Sequence, residues 1–215
     1  MDLIMDKKLV NTGYKQQPVL LDRVLQELRQ TLLSKLPWLD FAFGRAYKIV
    51  HSLDDGGKFI EPAIYNGNAE YLSMLPNDNF GNFCWFDIYD PQQIQVLVAG
   101  LPRMTFTGAI VFWYDLRDIA GDQDFLYTEE VKNQIITTLS SAGILKTNGS
   151  LRIYTVYEDF ENIYRGYTLS KVYNEHLYKG EDIQAYDKQY FMYPYAGLRV
   201  EFELTADAVA NTDCL

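Results

Sequence analysis

The sequence predicts an α+β fold: a mainly antiparallel β-sheet packed by two amphipathic helices, with long inserted loops. Three observations carry that expectation. Two stretches, 21–36 and 131–139, repeat apolar residues at three- and four-residue spacing; several short runs rich in Val, Ile, Tyr and Phe stand between turn residues; and those runs do not alternate regularly with helices. The first is the period of a helix buried on one face, the second reads as strands, and the third disfavours a doubly wound parallel sheet. With 215 residues, 48% of them hydrophobic, the chain is long enough to bury a core, and one domain over 1–215 is expected. No repeat of roughly 20–50 residues is present, which sets solenoids and propellers aside.

Pro18 opens the first helix, in which Leu21, Val24, Leu25, Leu28, Leu32 and Leu36 share a face while Asp22, Arg23, Gln26, Glu27, Arg29 and Gln30 stand between them; Pro37 stops it. Segments 45–51 and 58–65 flank S-L-D-D-G-G, whose Asp-Gly-Gly provides the positive backbone angles of a hairpin turn. Pro62 cannot donate to a ladder, so the second strand is expected at a sheet edge. Residues 66–82, rich in Asn, Gly and Pro, read as a long loop, and 83–89 and 94–99 as strands broken at Asp90-Pro91. In G-A-I-V-F-W-Y-D-L, residues 108–116, Val111 and Trp113 face one way and Ile110, Phe112 and Tyr114 the other. Both faces are apolar, so this strand belongs in the middle of the sheet or under a partner.

Thr128 caps a second helix with Glu129 and Glu130 in its first turn and Val131, Ile135 and Leu139 on one face, before Gly143 ends it. Residues 151–157 read as a strand and 159–165 as a short helix. In the final strand Leu198, Val200, Phe202 and Leu204 alternate with Arg199, Glu201, Glu203 and Thr205, which predicts one dry face and one wet face. Before it, 168–192 mixes Leu169, Val172, Tyr173, Leu177 and Tyr178 with Lys171, Glu175, Lys179 and Glu181. That texture is too apolar for a disordered tail and too charged for a core of its own, and predicts an extended arm or insertion ordered by a partner. Helical spacing of Leu169, Val172, Tyr173 and Leu177 equally fits an amphipathic helix packed on its own domain.

The formal net charge is -10 with the basic residues scattered, which argues against sequence-specific nucleic-acid binding. The opening M-D-L-I-M-D-K-K-L-V lacks the features of a signal peptide, and no run is apolar enough to span a bilayer, so a soluble protein made in a cytoplasm is expected. Cys84, among Phe83, Trp85 and Phe86, reads as a buried thiol, and with Cys214 it forms neither a disulfide framework nor a metal spacing. His51 beside a turn and His176 read as structural or surface residues. Carboxylates pair at Asp87 and Asp90, Asp115 and Asp118, and Asp122 and Asp124. The last pair forms a D-x-D, but without the further ligands and the glycine of a calcium loop. No P-loop, G-x-G-x-x-G, G-x-S-x-G or H-E-x-x-H occurs, so no enzyme, cofactor or metal site is expected. The aromatics Trp113, Tyr114, Tyr164, Tyr167 and Tyr173 fit either a platform that stacks on sugars or packing in core and interface.

The order of these elements resembles that of the tail-terminator and neck-ring proteins of tailed bacteriophages. The resemblance rests on the helix at 21–36, the hairpin at 47–65, I-V-F-W-Y-D-L, the helix at 128–139, L-R-I-Y-T-V-Y, E-N-I-Y-R-G-Y and the terminal Y-P-Y-A-G-L-R-V-E-F-E-L-T. It implies a structural virion protein without catalysis, a homo-oligomeric ring of six or twelve copies in the neck or tail, assembled in the host bacterial cytoplasm and touching portal, connector or tail proteins. On this reading Trp113, Tyr114, Tyr164, Tyr167, Tyr173, Leu177 and Tyr178 are candidates for subunit contacts. Asp118, Asp122 and Asp124 are candidates for a loop facing a DNA channel, where acidic side chains let DNA pass. Residues 66–82 and 168–192 stand as insertions reaching neighbouring rings or subunits. The alternative is a carbohydrate-binding or host-recognition module that uses exposed aromatics.

Overall fold

The structure, a computed structural model, describes residues 16–52, 56–67, 70–75, 80–96, 102–121, 128–141, 144–145, 149–168 and 194–207. The leucine stripe forms α1 (Leu20–Lys35), which buries Leu21, Val24, Leu25, Leu28 and Leu32. It starts two residues after Pro18 and closes with the Leu36 N–H donating to the Leu32 carbonyl, just before Pro37. Then follow β1 (Phe41–Arg45), β2 (Tyr47–Ser52), β3 (Lys58–Gly67), β4 (Glu70–Ser73), β5 (Phe83–Ile88), β6 (Gln93–Val96) and β7 (Pro102–Asp115). The chain continues through α2 (Leu116–Ala120), α3 (Thr128–Ser140), β8 (Gly149–Tyr157) and α4 (Phe160–Ile163), and the last described element is β9 (Tyr195–Asp207).

The fold is α+β with mostly antiparallel sheets. One sheet runs β1-β5-β7-β9-β8, and β6 extends it by pairing with β7; β1 and β5 are its parallel pair. β5 and β6 share one edge of β7, opposite residues 108–113 and 102–105, with Asp90-Pro91 in the break between them. Pro91 has no N–H to continue the ladder there. The other edge of β7 is taken by β9 along its whole length, from Arg103 opposite Asp207 to Asp115 opposite Tyr195. The last described strand in sequence is thus interior in the sheet, between β7 and β8.

Each face of this sheet carries a core. Ile110, Phe112 and Tyr114 of β7, with Leu198, Val200, Phe202 and Leu204 of β9, pack against the stripe of α1 and against Val131, Ile135 and Leu139 of α3. Val111 and Trp113, on the other face, pack with Trp85, Ile64, Met74, Phe160, Ile163 and Tyr164. That second layer combines the small sheet β2-β3-β4 with α4. The two apolar faces anticipated for β7 therefore each have their own cover.

Several expectations are corrected. Pro62 lies not at an edge but in β3, the middle strand of the small sheet. Its missing donor is accommodated because β4 ends at Ser73: the Met74 N–H donates to the Pro62 carbonyl at 2.8 Å, and the Met74 carbonyl accepts instead from the Tyr164 hydroxyl at 3.2 Å. The segment 66–82 is not loop throughout, since it contains β4. Thr128 is the first residue of α3 rather than its cap. The supposed wet face of β9 is dry where it begins, with Arg199 and Glu201 buried. Gly143 and all but the first residue of the segment 168–192 lie outside the described residues. Within the described residues no helix is long and apolar enough to cross a membrane.

Candidate functional site

Polar chemistry gathers on the face of the main sheet that carries α4. Here β7 offers two small side chains in succession on that face, Ala109 and Val111; Asp87 of β5 and Glu201 of β9 stand on either side of Ala109, and Arg199 stands beside Val111. With so little volume on the middle strand, long side chains of its two neighbours meet above it. Arg199 reaches across to donate from Nη2 to Asp87 Oδ2 at 2.7 Å and from Nη1 to the Ile163 carbonyl at 3.0 Å. The other Asp87 oxygen accepts from the Tyr167 hydroxyl at 3.0 Å.

Tyr89 extends the network. Its hydroxyl accepts from Arg199 and donates to Glu201 Oε1 at 3.2 Å, and its ring lies under the Arg199 guanidinium at 5.5 Å. Glu201 also accepts from Arg165. Burial works against the charge on Arg199, but Asp87 and Tyr89 more than offset it and hold its pKa above the ordinary arginine value. For Tyr167 burial and the Asp87 carboxylate act together, pushing the phenol far above its usual range. Tyr89 is also raised, by burial first, with Arg199 opposing.

This network floors an open cleft of about 660 Å³. Its walls come from three places: the β1–β2 corner with Arg45, Tyr47 and Lys48, the end of β5 with Asp87, Tyr89 and Asp90, and the turn after α4 with Arg165, Gly166 and Tyr167. Backbone bonds fix these pieces: the Ala46 N–H donates to the Phe86 carbonyl at 2.8 Å, and the Thr168 N–H to the Ile60 carbonyl at 2.9 Å. Four cations that stand apart in the sequence (Arg45, Lys48, Arg165 and Arg199) line one cleft. Only the opposite charges of Arg199 and Glu201 inside an apolar run hinted at this cluster, and strict alternation assigned them to water.

The residues singled out in the sequence lie elsewhere or play other parts. Trp113, Tyr114, Tyr164 and Tyr167 are at most 6% exposed, so of the two readings given for them it is packing within the chain's own cores that their burial shows, in place of a sugar platform or the subunit contacts for which they were candidates. Trp113 stacks on Tyr195 at 6.0 Å, and Tyr114 packs against Trp38 at 5.5 Å. Tyr173, Leu177, Tyr178, Asp122, Asp124, His176 and Cys214 lie outside the described residues. Asp118 is exposed, on α2 rather than in a loop. Asp115 caps that helix, accepting from the Arg117 N–H at 2.8 Å. His51, exposed at the end of β2, hydrogen-bonds Glu61 at 2.7 Å across the hairpin. Cys84 is fully buried, and burial pushes its thiol well above the usual range, so it is no nucleophile at neutral pH. Among the described residues no cluster of three or more His, Cys, Asp or Glu could hold a metal ion. No protein-family model matches the sequence, and comparison with curated proteins finds no significant match.

Proposed function

We propose that the chain is a structural, non-enzymatic virion protein that assembles with copies of itself into a ring in the neck or tail of a tailed bacteriophage, joining portal or connector to tail components. The order of elements, which resembles that of tail-terminator and neck-ring proteins, supports the phage assignment. One observation carries the self-association: the outward face of the small sheet is aromatic. Tyr47 stands opposite Ala63, and Tyr65 opposite Tyr71, on the side of β3 away from Ile60 and Ile64, which pack into the core. Tyr47, Tyr65 and Tyr71 are 48, 46 and 53% exposed, and the Tyr65 and Tyr71 rings lie 5.3 Å apart. Half-exposed tyrosines on a sheet face suit a subunit contact, because the ring supplies area while the hydroxyl stays wet. On β6 Ile94 and Val96 add a second exposed apolar pair, 67 and 74% exposed. In such a ring Asp118 is the described candidate for the acidic lining of a DNA path.

Native mass spectrometry of the wild type and of a Tyr47→Ser, Tyr65→Ser, Tyr71→Ser variant tests the reading. The wild type is expected to form a ring-sized oligomer and the variant smaller species. A wild type that stays monomeric at high concentration and fails to join portal or tail partners would overturn it, and retention on a glycan array would favour the carbohydrate-binding alternative.

A further inference from the structure

We propose that the cleft over the Arg199 network is a binding site for a small molecule bearing an oxyanion, a phosphate or a carboxylate, held at the Arg45 and Lys48 end. This does not depend on the ring. Among the described residues the cleft is lined by Arg45, Lys48, Arg165 and Arg199 and, of carboxylates, by Asp87 and Asp90. Asp87 is taken by Arg199 and Tyr167, and Arg165 is taken by Glu201. No carboxylate among the described residues pairs with Arg45 or Lys48. Arg45 and Lys48 thus stand in one concave place without a salt-bridge partner among the described residues, with Asp90 as the one further carboxylate of the described lining, on a chain of net charge -10.

A second observation is independent of charge counting. Lys48 is held ready for the same ligand. Its ammonium lies 5.4 Å from the centre of the Tyr167 ring, and a Cβ on Gly166 would come within 3.1 Å of it. Gly166 has φ +87°, a conformation that favours glycine, so the turn and the open space for the ammonium have one cause. A volume of about 660 Å³ lies in the range of small-molecule sites and exceeds what a bare anion fills, and the Tyr47 and Tyr89 rings offer apolar wall for the rest of the ligand.

Isothermal titration of the full chain with inorganic phosphate, and separately with malonate, at constant ionic strength tests the site and separates phosphate from carboxylate recognition. Saturable one-to-one binding of at least one probe is expected. Lys48→Gln, an exposed change that leaves the core alone, should weaken it about tenfold, and Arg45→Gln about ten- to a hundredfold. Lys35→Gln, at the end of α1, should leave it unchanged. No saturable binding of either probe, or Lys48→Gln binding as tightly as the wild type, would overturn the proposal. Should Arg45→Gln not fold, Lys48→Gln alone decides.

Discussion

Arg199 is 1% exposed, and a guanidinium that has left water depends on what replaces the water. Asp87, Tyr89 and the Ile163 carbonyl do so here, and removing Asp87 leaves the charge stranded. Asp87→Ala should therefore cost about 3–5 kcal/mol in urea unfolding, whereas Asp87→Leu combined with Arg199→Met should recover most of it. Glu201 makes the same point against the alternation of β9. A residue on a wet face would tolerate Glu201→Lys, but a lysine here would face Arg165 and Arg199 from a site 6% exposed. Its loss of stability should be comparable to that of Phe202→Asp in the opposite core, several kcal/mol; a Glu201→Lys protein as stable as the wild type would refute the network. Asp115 allows a test by pH. Burial alone would raise its pKa, but hydrogen bonds from Arg117 dominate and lower it. A carboxyl whose folded pKa is depressed stabilises above its unfolded pKa of about 3.9, and that contribution fades as pH falls through the folded value. Asp115→Asn should thus melt earlier at pH 7, by up to about 1 kcal/mol because Arg117 is exposed and screened. The two melting curves should converge in acid; a gap that persists there would assign the effect to packing.

At the scale of elements, what was legible depended on length and on the number of covered faces. The helices α1 and α3 run for 16 and 13 residues, long enough for a period of 3.6 to register. β7 was legible as central because both its faces are apolar. β4 is E-Y-L-S within a segment rich in Asn and Gly, and pairing to β3 makes it a strand rather than any local preference. The five residues of α2 are too few for a period, and Asp115 as its cap was readable only as half of a carboxylate pair. Alternation along β9 told which side chains share a face; it could not tell that the polar face would be roofed by α4 and its turn. Close strand contact is testable at Gly108. A Cβ there would lie 2.4 Å from the Asp87 backbone carbonyl, which cannot swing aside, and 3.2 Å from Phe202. Gly108→Ala should push β5 away from β7 and cost about 1–3 kcal/mol, at about 2–4 °C of melting temperature per kcal/mol for a chain of this size. An unchanged melting temperature would mean that the strands can part there without penalty.

At the scale of the whole molecule, composition gave the sum of the charges but not their placing. A net charge of -10 conceals a cleft in which four cations meet, two of them already paired, because residues distant in sequence converge only through the sheet and the α4 turn. The distinction matters for nucleic acid. Duplex DNA presents a charge about every 1.7 Å, and a protein that holds it neutralises several phosphates with a run of cations. Here Arg45 and Lys48, with which no carboxylate among the described residues pairs, sit in a concavity sized for a small molecule, and the net charge of -10 repels phosphate. At most about two phosphates could be engaged, which predicts a shallow salt dependence, with a log–log slope no steeper than about -2. At physiological salt, where charges are screened beyond about 8 Å, no appreciable duplex binding should remain. Fluorescence anisotropy with a labelled duplex checks both statements. Residual binding at low salt should fall further in Lys48→Gln, since that lysine is half of the available pair. Tight binding with a steep slope at physiological salt would contradict the charge argument, and with it the picture of an acidic channel that DNA traverses without adhering.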